Sequence, residues 1–222
     1  FLRYKPIWAA FAATLIVGTG SSIAGGAGAY FYTYVLGDMK LMSGVSIIGL
    51  IASLVGIVMG PYLANRFGKK KVYLTAVIIS TALNLLRLLD VTSMILIYIS
   101  ALIGGVAGGW MVPVSTSIQA GNTTYVQYKT GKRAEAAIAS LTSFVSKVAQ
   151  GLGGAIPGYV IAAYGFVTGA SVQPESINTG IILCALILPL IFGILGSLIF
   201  GTQYTLDQKA VIEMDAKINR NN

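Results

Sequence analysis

Six apolar runs, separated by short breaks that hold most of the charge, constrain this chain more than any other feature. They fall at about residues 7–35, 45–63, 72–89, 93–118, 137–163 and 180–200. Crossing the hydrocarbon of a bilayer takes about 20 residues of helix. In that medium an isolated segment has to satisfy its backbone amides internally, which a helix alone achieves at this length. The expected fold is therefore an all-α membrane protein of six transmembrane helices. Composition points the same way, because 10% charged residues against 55% hydrophobic ones is well short of the roughly one quarter charged in soluble domains. Residues 1–204 are expected to form one six-helix domain and residues 205–222 a cytoplasmic tail. The longest polar break, 168–179, reads as a loop, and Asp90–Thr92 as the tight turn of a hairpin.

The net charge of +8 is distributed as orientation rather than as a nucleic-acid surface, since a basic binding face clusters Lys and Arg on one polar side. Arg3 and Lys5 precede the first run; Arg66, Lys69, Lys70 and Lys71 follow the second; Lys129, Lys132 and Arg133 follow the fourth; Lys209, Lys217 and Arg220 follow the sixth. These are twelve of the fifteen basic residues, and an excess of this kind marks the cytoplasmic side. Both termini are then expected in the cytoplasm of a multi-pass protein of the cell membrane, with the bilayer as a partner and no nucleic acid. The first run is too long for a secretory h-region and has no cleavage site. Because the chain begins at Phe1 rather than Met, it is expected to be part of a longer protein.

An internal echo divides the runs into two triplets. The first run carries Gly18, Gly20, Gly25, Gly26 and Gly28, and the fourth carries Gly104, Gly105, Gly108 and Gly109. Three spans carry the chain across the membrane, so a repeated triplet is inverted, a device of transporters. The glycines have two readings, close helix packing or room for a solute; Gly154 and Gly158 share the spacing of packing motifs. Pro113 and Pro157 each mark a kink within a run.

Lys147 is the residue with most to explain. It lies about ten residues into the fifth run, roughly 15 Å deep, where an ammonium needs a carboxylate, a carbonyl or water. Ser140, Ser143, Lys147, Gln150, Gly151, Gly154 and Gly158 recur at steps of three or four, a polar and small stripe on one helix face. One reading is a structural lysine bonded to helix carbonyls; the other is a lysine facing a wet cavity, binding solute or pairing with an acid. No acid of this chain lies at matching depth, so the partner is expected in another half. Trp110, mid-run in the fourth helix, is expected to face a cavity and stack on a sugar ring, and Ser115, Thr116 and Gln119 give that helix a polar inner end. Tyr30, Tyr32 and Tyr34 read as interfacial anchors. Asn84 reads as an interhelical hydrogen bond. Cys184 is the only cysteine and reads as a buried hydrophobe, and histidine is absent. No nucleophile elbow, P-loop, HExxH or paired intramembrane carboxylate is present, so no catalytic residue, metal site or bound cofactor is expected.

The stretch Tyr128-Lys129-Thr130-Gly131-Lys132-Arg133-Ala134-Glu135, followed by Ser143-Phe144, Lys147, Gly153-Gly154 and Tyr164-Gly165, resembles the signature of the glycoside–pentoside–hexuronide:cation symporters. These form the melibiose-permease-like branch of the major facilitator superfamily. Tyr32-Thr33-Tyr34-Val35-Leu36-Gly37 and Arg66-Phe67-Gly68-Lys69-Lys70 are similar as well. The resemblance implies the C-terminal six-helix half of a twelve-helix carrier, an inverted three-plus-three repeat. It implies sodium- or proton-coupled symport of a sugar, glycoside or sugar acid by alternating access, with the cation's ligands mostly in the N-terminal half. It implies a cavity-facing role for Lys147, with Thr142 and Ser143 near the solute; Gln150 on the stripe, Gln119 at the polar inner end and Trp110 are the other candidate contacts. Arg66, Lys69, Lys70, Lys129, Lys132, Arg133 and Glu135 become the cytoplasmic gate and its loops. Where the family has two aspartates before this stretch, the chain has Gly121 and Thr124, and Asn65 stands where a facilitator loop often has Asp. These departures keep two alternatives open: a lysolipid or other organic-solute carrier of the same fold, and a non-transporting receptor or scaffold.

Overall fold

A computed structural model describes residues 4–170 and 172–220 of the chain. Arg3, one of the basic residues used for orientation, lies outside the described residues. Among those described there are seven helices: α1 (Lys5–Val35), α2 (Lys40–Phe67), α3 (Lys69–Arg87), α4 (Met94–Thr130), α5 (Glu135–Ala163), α6 (Ser176–Gln203) and α7 (Gln208–Arg220).

Helix boundaries follow local chemistry. α1 opens with Pro6 in its first turn, where the missing N–H has no intrahelical partner to lose. Its last turn, Phe31–Val35, widens to a π-helix, and Gly37 at φ +73° turns the chain out. Gly68, at φ +87°, separates α2 from α3. The α3–α4 turn is held by Asp90, whose Oδ1 accepts from the Thr92 N–H and hydroxyl at 3.1 and 3.0 Å. Left-handed Gly131 ends α4. The helix runs on past the end of the fourth apolar run, through residues 119–130. Hydropathy falls there, but the stretch has no Pro, Gly121 is buried within the helix, and the left-handed stop comes only at Gly131. At 37 residues, α4 is about 55 Å long, well beyond the hydrocarbon. The π-helical stretch Leu183–Ile187 in α6 precedes Pro189, which has no N–H to continue the ordinary ladder.

The six expected runs correspond to the six long helices, but four of them, α1, α2, α4 and α6, are long and apolar enough to cross a membrane by composition. α3 begins with Lys69-Lys70-Lys71, and α5 carries Glu135, Lys147 and its serines; those charges lower their apolarity. The outer faces are hydrocarbon: Leu50, Leu54, Val58, Leu102 and Leu198 are each more than half exposed, as a lipid-facing surface requires.

Small residues draw the helices together. α1 packs on α5 through Gly18 against Ala149, Gly26 against Pro157, and Gly153 against Ser22. α2 packs on α4 through Gly105 against Gly49, Gly56 against Val106, Gly60 against Pro113, and Gly109 against Ser53. α6 closes on α1 at Gly20 and Gly196, and on α3 at Gly193. Close backbone approach of this sort replaces the hydrophobic drive that lipid removes. The Gly154/Gly158 expectation is corrected: a Cβ at either position meets nothing within 4 Å, and Gly153 with Pro157 forms the seam instead. The segment after α6 contains α7, which docks on α4 with Val211 against Gly121, and Leu206 is buried in the link before it.

Candidate functional site

Residues of α1, α4 and α5 line a cavity of about 330 Å³. α1 contributes Thr14, Gly18 and Ser21; α4 contributes Ser115, Thr116, Gln119 and Asn122; α5 contributes Thr142 and Ser146. The α1 residues are spaced by four and three, so they share one face. Farther along that face Gly25 and Gly28 have no neighbour within 4 Å of an added Cβ, and neither does Gly108 on α4. The glycines of the first and fourth helices thus divide: some close helix seams, and others leave open space along the groove.

Hydroxyl groups in the wall are partly committed to their own helices. Thr14 donates to the Ala10 carbonyl at 2.8 Å, Thr142 to Ile138 at 2.8 Å and Thr116 to Val112 at 3.1 Å. A hydroxyl that donates to an i−4 carbonyl still has lone pairs to accept from a ligand. Gln119 and the buried Asn122 supply amides. Asn122 Oδ1 accepts from the Tyr204 hydroxyl at 3.4 Å, and burial raises the Tyr204 phenol above its ordinary value. Sequence reasoning passed over Asn122, Ser146, Thr14 and Ser21. The i, i+4 spacing of Thr142 and Ser146 and the stripe from Thr14 through Gly18 to Ser21 were available to find them.

Lys147 follows Ser146 and so lies about 100° farther around α5. It is exposed, and its Nζ donates to Gln150 Oε1 at 3.4 Å, with Ser143 exposed one turn before. A Cβ at Gly151, Gly154 or Gly158 meets nothing, so this face of α5 is uncovered along the stripe. The structure thus brings Thr142 and Gln119 into the cavity wall. It sets Lys147, Ser143 and Gln150 beside one another on the adjoining face.

Trp110 does not line this cavity. Its indole lines an apolar groove formed with Ile48, Val55, Ile79 and Val106, and Nε1 is buried without a hydrogen-bond partner. Nine residues separate it from Gln119, which at about 100° per residue puts the two on opposite sides of α4.

At the end of the bundle where α2 meets α3, Lys69 Nζ donates to the Ser117 carbonyl of α4 at 3.2 Å, and Arg66 donates to the Tyr62 hydroxyl at 3.1 Å. Lys70 lines the adjacent cleft under α7. Lys129 lies 6.0 and 5.9 Å from the ring centres of Tyr125 and Tyr128. Lys132, Arg133 and Glu135 are exposed at the α4–α5 junction.

An all-helical bundle with small-residue seams, an apolar exterior and a polar groove fits a membrane transport protein. The family of MFS/sugar transport proteins matches residues 1–208. The chain belongs to that family, whose members are transporters and not enzymes. It is 30% identical over 220 residues to the uncharacterized symporter YjmB of Bacillus subtilis, covering 97% of this chain and 47% of that protein. It is 30% identical over 204 residues to the glucuronide carrier protein homolog of Escherichia coli, covering 88% and 44% respectively. It is 27% identical over 154 residues to the isoprimeverose transporter of Lactiplantibacillus pentosus, covering 67% and 31%. The chain thus spans less than half the length of each of these relatives.

Proposed function

We propose that this chain is one six-helix half of a secondary transporter that carries a sugar, glycoside or sugar acid by alternating access, in symport with sodium or a proton. The observation that carries the reading is the groove between α1, α4 and α5, with hydroxyls and amides on its wall and Lys147 beside it, in a molecule that exposes many large apolar residues on α2, α4 and α6. Sugars present many hydroxyls and few charges, which such a wall matches. The names of the relatives, a glucuronide carrier homolog and an isoprimeverose transporter, support a solute among the sugars and sugar acids.

In this reading α3 and α5 cross the membrane alongside the four more apolar helices, since α3 packs on α4 and α6, and α5 packs on α1. The basic breaks then face the cytoplasm, as do both termini. The uncovered stripe of α5 faces a second six-helix half, which supplies acids for Lys147 and most ligands of the coupling ion. Radiolabelled uptake into vesicles containing the full-length protein tests the proposal, with a neutral pentoside and a glucuronide as solutes. Accumulation that requires an imposed sodium or proton gradient is expected for at least one of them. Equilibration without accumulation under either gradient rules out coupling; lysolipid flip or no flux points to the other readings.

A further inference from the structure

A second polar cavity, sharing no lining residue with the groove, surrounds a cation for which the described residues offer no acid. Arg87, the last residue of α3, is half-buried, and its Nε is buried without a hydrogen-bond partner. Its Cζ lies 5.0 Å from the centre of the Phe31 ring, the first residue of the π-helical turn that ends α1. π-turns within α-helices recur at functional sites, and this one also carries Tyr32 to the cavity. That cavity, of about 220 Å³, is lined by Arg87, Tyr32, Ser80, Asn84 and Ser100. The acids closest in sequence are already engaged in their own turns: Asp38 accepts from the Lys40 N–H at 2.8 Å, and Asp90 from Thr92.

A cation partly buried among protein side chains is costly without a counter-charge, and an aromatic face offsets part of that cost only. The guanidinium fork matches an oxyanion bidentately. The tyrosine and serine hydroxyls and the asparagine amide can donate to further oxygens. We propose that the Arg87 cavity binds a singly charged oxyanion group: the carboxylate or sulfonate of a soluble acid, or the phosphate of an anionic lipid headgroup. The shared chemistry is an anionic oxygen seated on Arg87 and ringed by hydroxyl and amide donors. The inference rests on this cluster and not on the solute assigned to the groove.

The test is thermal unfolding of the full-length protein, followed by tryptophan fluorescence. One arm titrates methanesulfonate and acetate in neutral detergent, with methanesulfonamide as the uncharged control. The other compares phosphatidylcholine nanodiscs with and without phosphatidylglycerol. A saturable rise in Tm with the soluble acids identifies a solute site, and a rise confined to the anionic nanodiscs identifies a headgroup site. In either case Arg87→Gln abolishes the rise, and Asn84→Leu or Ser100→Ala weakens apparent affinity about tenfold, as loss of a charge-assisted hydrogen bond does. No rise in either medium overturns the proposal, as does a rise that survives Arg87→Gln. If Arg87→Gln does not fold, unchanged affinity in both Asn84→Leu and Ser100→Ala overturns it.

Discussion

Adjacent glycines in this bundle have opposite surroundings, and the contrast gives a sharp test of the packing. A Cβ at Gly109 runs into the backbone of Ser53 on α2, whereas one at Gly108 meets nothing within 4 Å; Gly153, against Ser22, and Gly154 form a second such pair on α5. Alanine at Gly109 or Gly153 forces two helices apart and is expected to cost about 1–3 kcal/mol. Alanine at Gly108 or Gly154 is expected to be neutral or slightly stabilising, because it improves helix propensity. Thermal unfolding in detergent separates the pairs, and equal effects would show that the seams are misplaced. The groove residues make a second prediction at this scale. Ser146→Ala and Gln119→Ala, in the cavity wall, should raise the apparent KM for solute by about 1–3 kcal/mol of lost contact, whereas Trp110→Phe should leave it unchanged. Lys147 is a different case, since a charge read differently by two access states shifts their balance. Lys147→Gln is expected to abolish uphill accumulation while sparing downhill exchange, measured in the same vesicles with the gradient on and off.

At the scale of elements, the extended end of α4 and the docked α7 form one unit. Gly121 is the point of contact, with the Val211 Cγ2 3.5 Å from where its Cβ would be. Tyr128 of α4 receives Lys217 at 5.9 Å from its ring centre, and Tyr204 in the linking turn donates to Asn122. Restoring an acid with Gly121→Asp would bury a carboxylate under Val211, which an apolar contact cannot compensate. The expected outcome is release of α7, read as faster tryptic cleavage at Lys217 with the six long helices intact. Unchanged cleavage would mean that α7 is held by its other contacts. The helix was not legible in the sequence because a segment of thirteen residues that mixes charge with Val211 and Ile212 is marginal alone. Its packing on α4 stabilises it.

For the whole molecule, the pairing of helices maps onto itself when the two triplets are exchanged. α1 with α5 corresponds to α4 with α2; α1 with α6 corresponds to α4 with α3; α3 with α6 corresponds to itself, and all five pairs are packed. The glycine echo between the first and fourth runs thus reflects equivalent positions in two copies of one three-helix pattern. The orientation proposed for that bundle is testable by single-cysteine labelling. Cys184 is fully buried and leaves a silent background. Cysteines at Lys70 and Lys132 are expected to react with a membrane-impermeant maleimide from the cytoplasmic side alone; reaction from outside would reverse the orientation.

The existence and order of the six long helices were legible in the sequence, because hydropathy over about 20 residues answers to a solvent and needs no partner. The family was legible too, in the run from Tyr128 through Lys147. Hydropathy alone does not show how far α4 runs: it falls at 119–130, yet the helix continues through Gly121 to the left-handed Gly131. Which glycines close seams was decided by tertiary structure, because Gly108 and Gly109 are indistinguishable until α2 stands beside one of them. The same holds for Trp110 and Gln119, whose shared membership of one helix conceals faces half a turn apart. Packing between helices is a relation among segments far apart in the chain, and only the assembled bundle sets which side of each helix is left open for a solute.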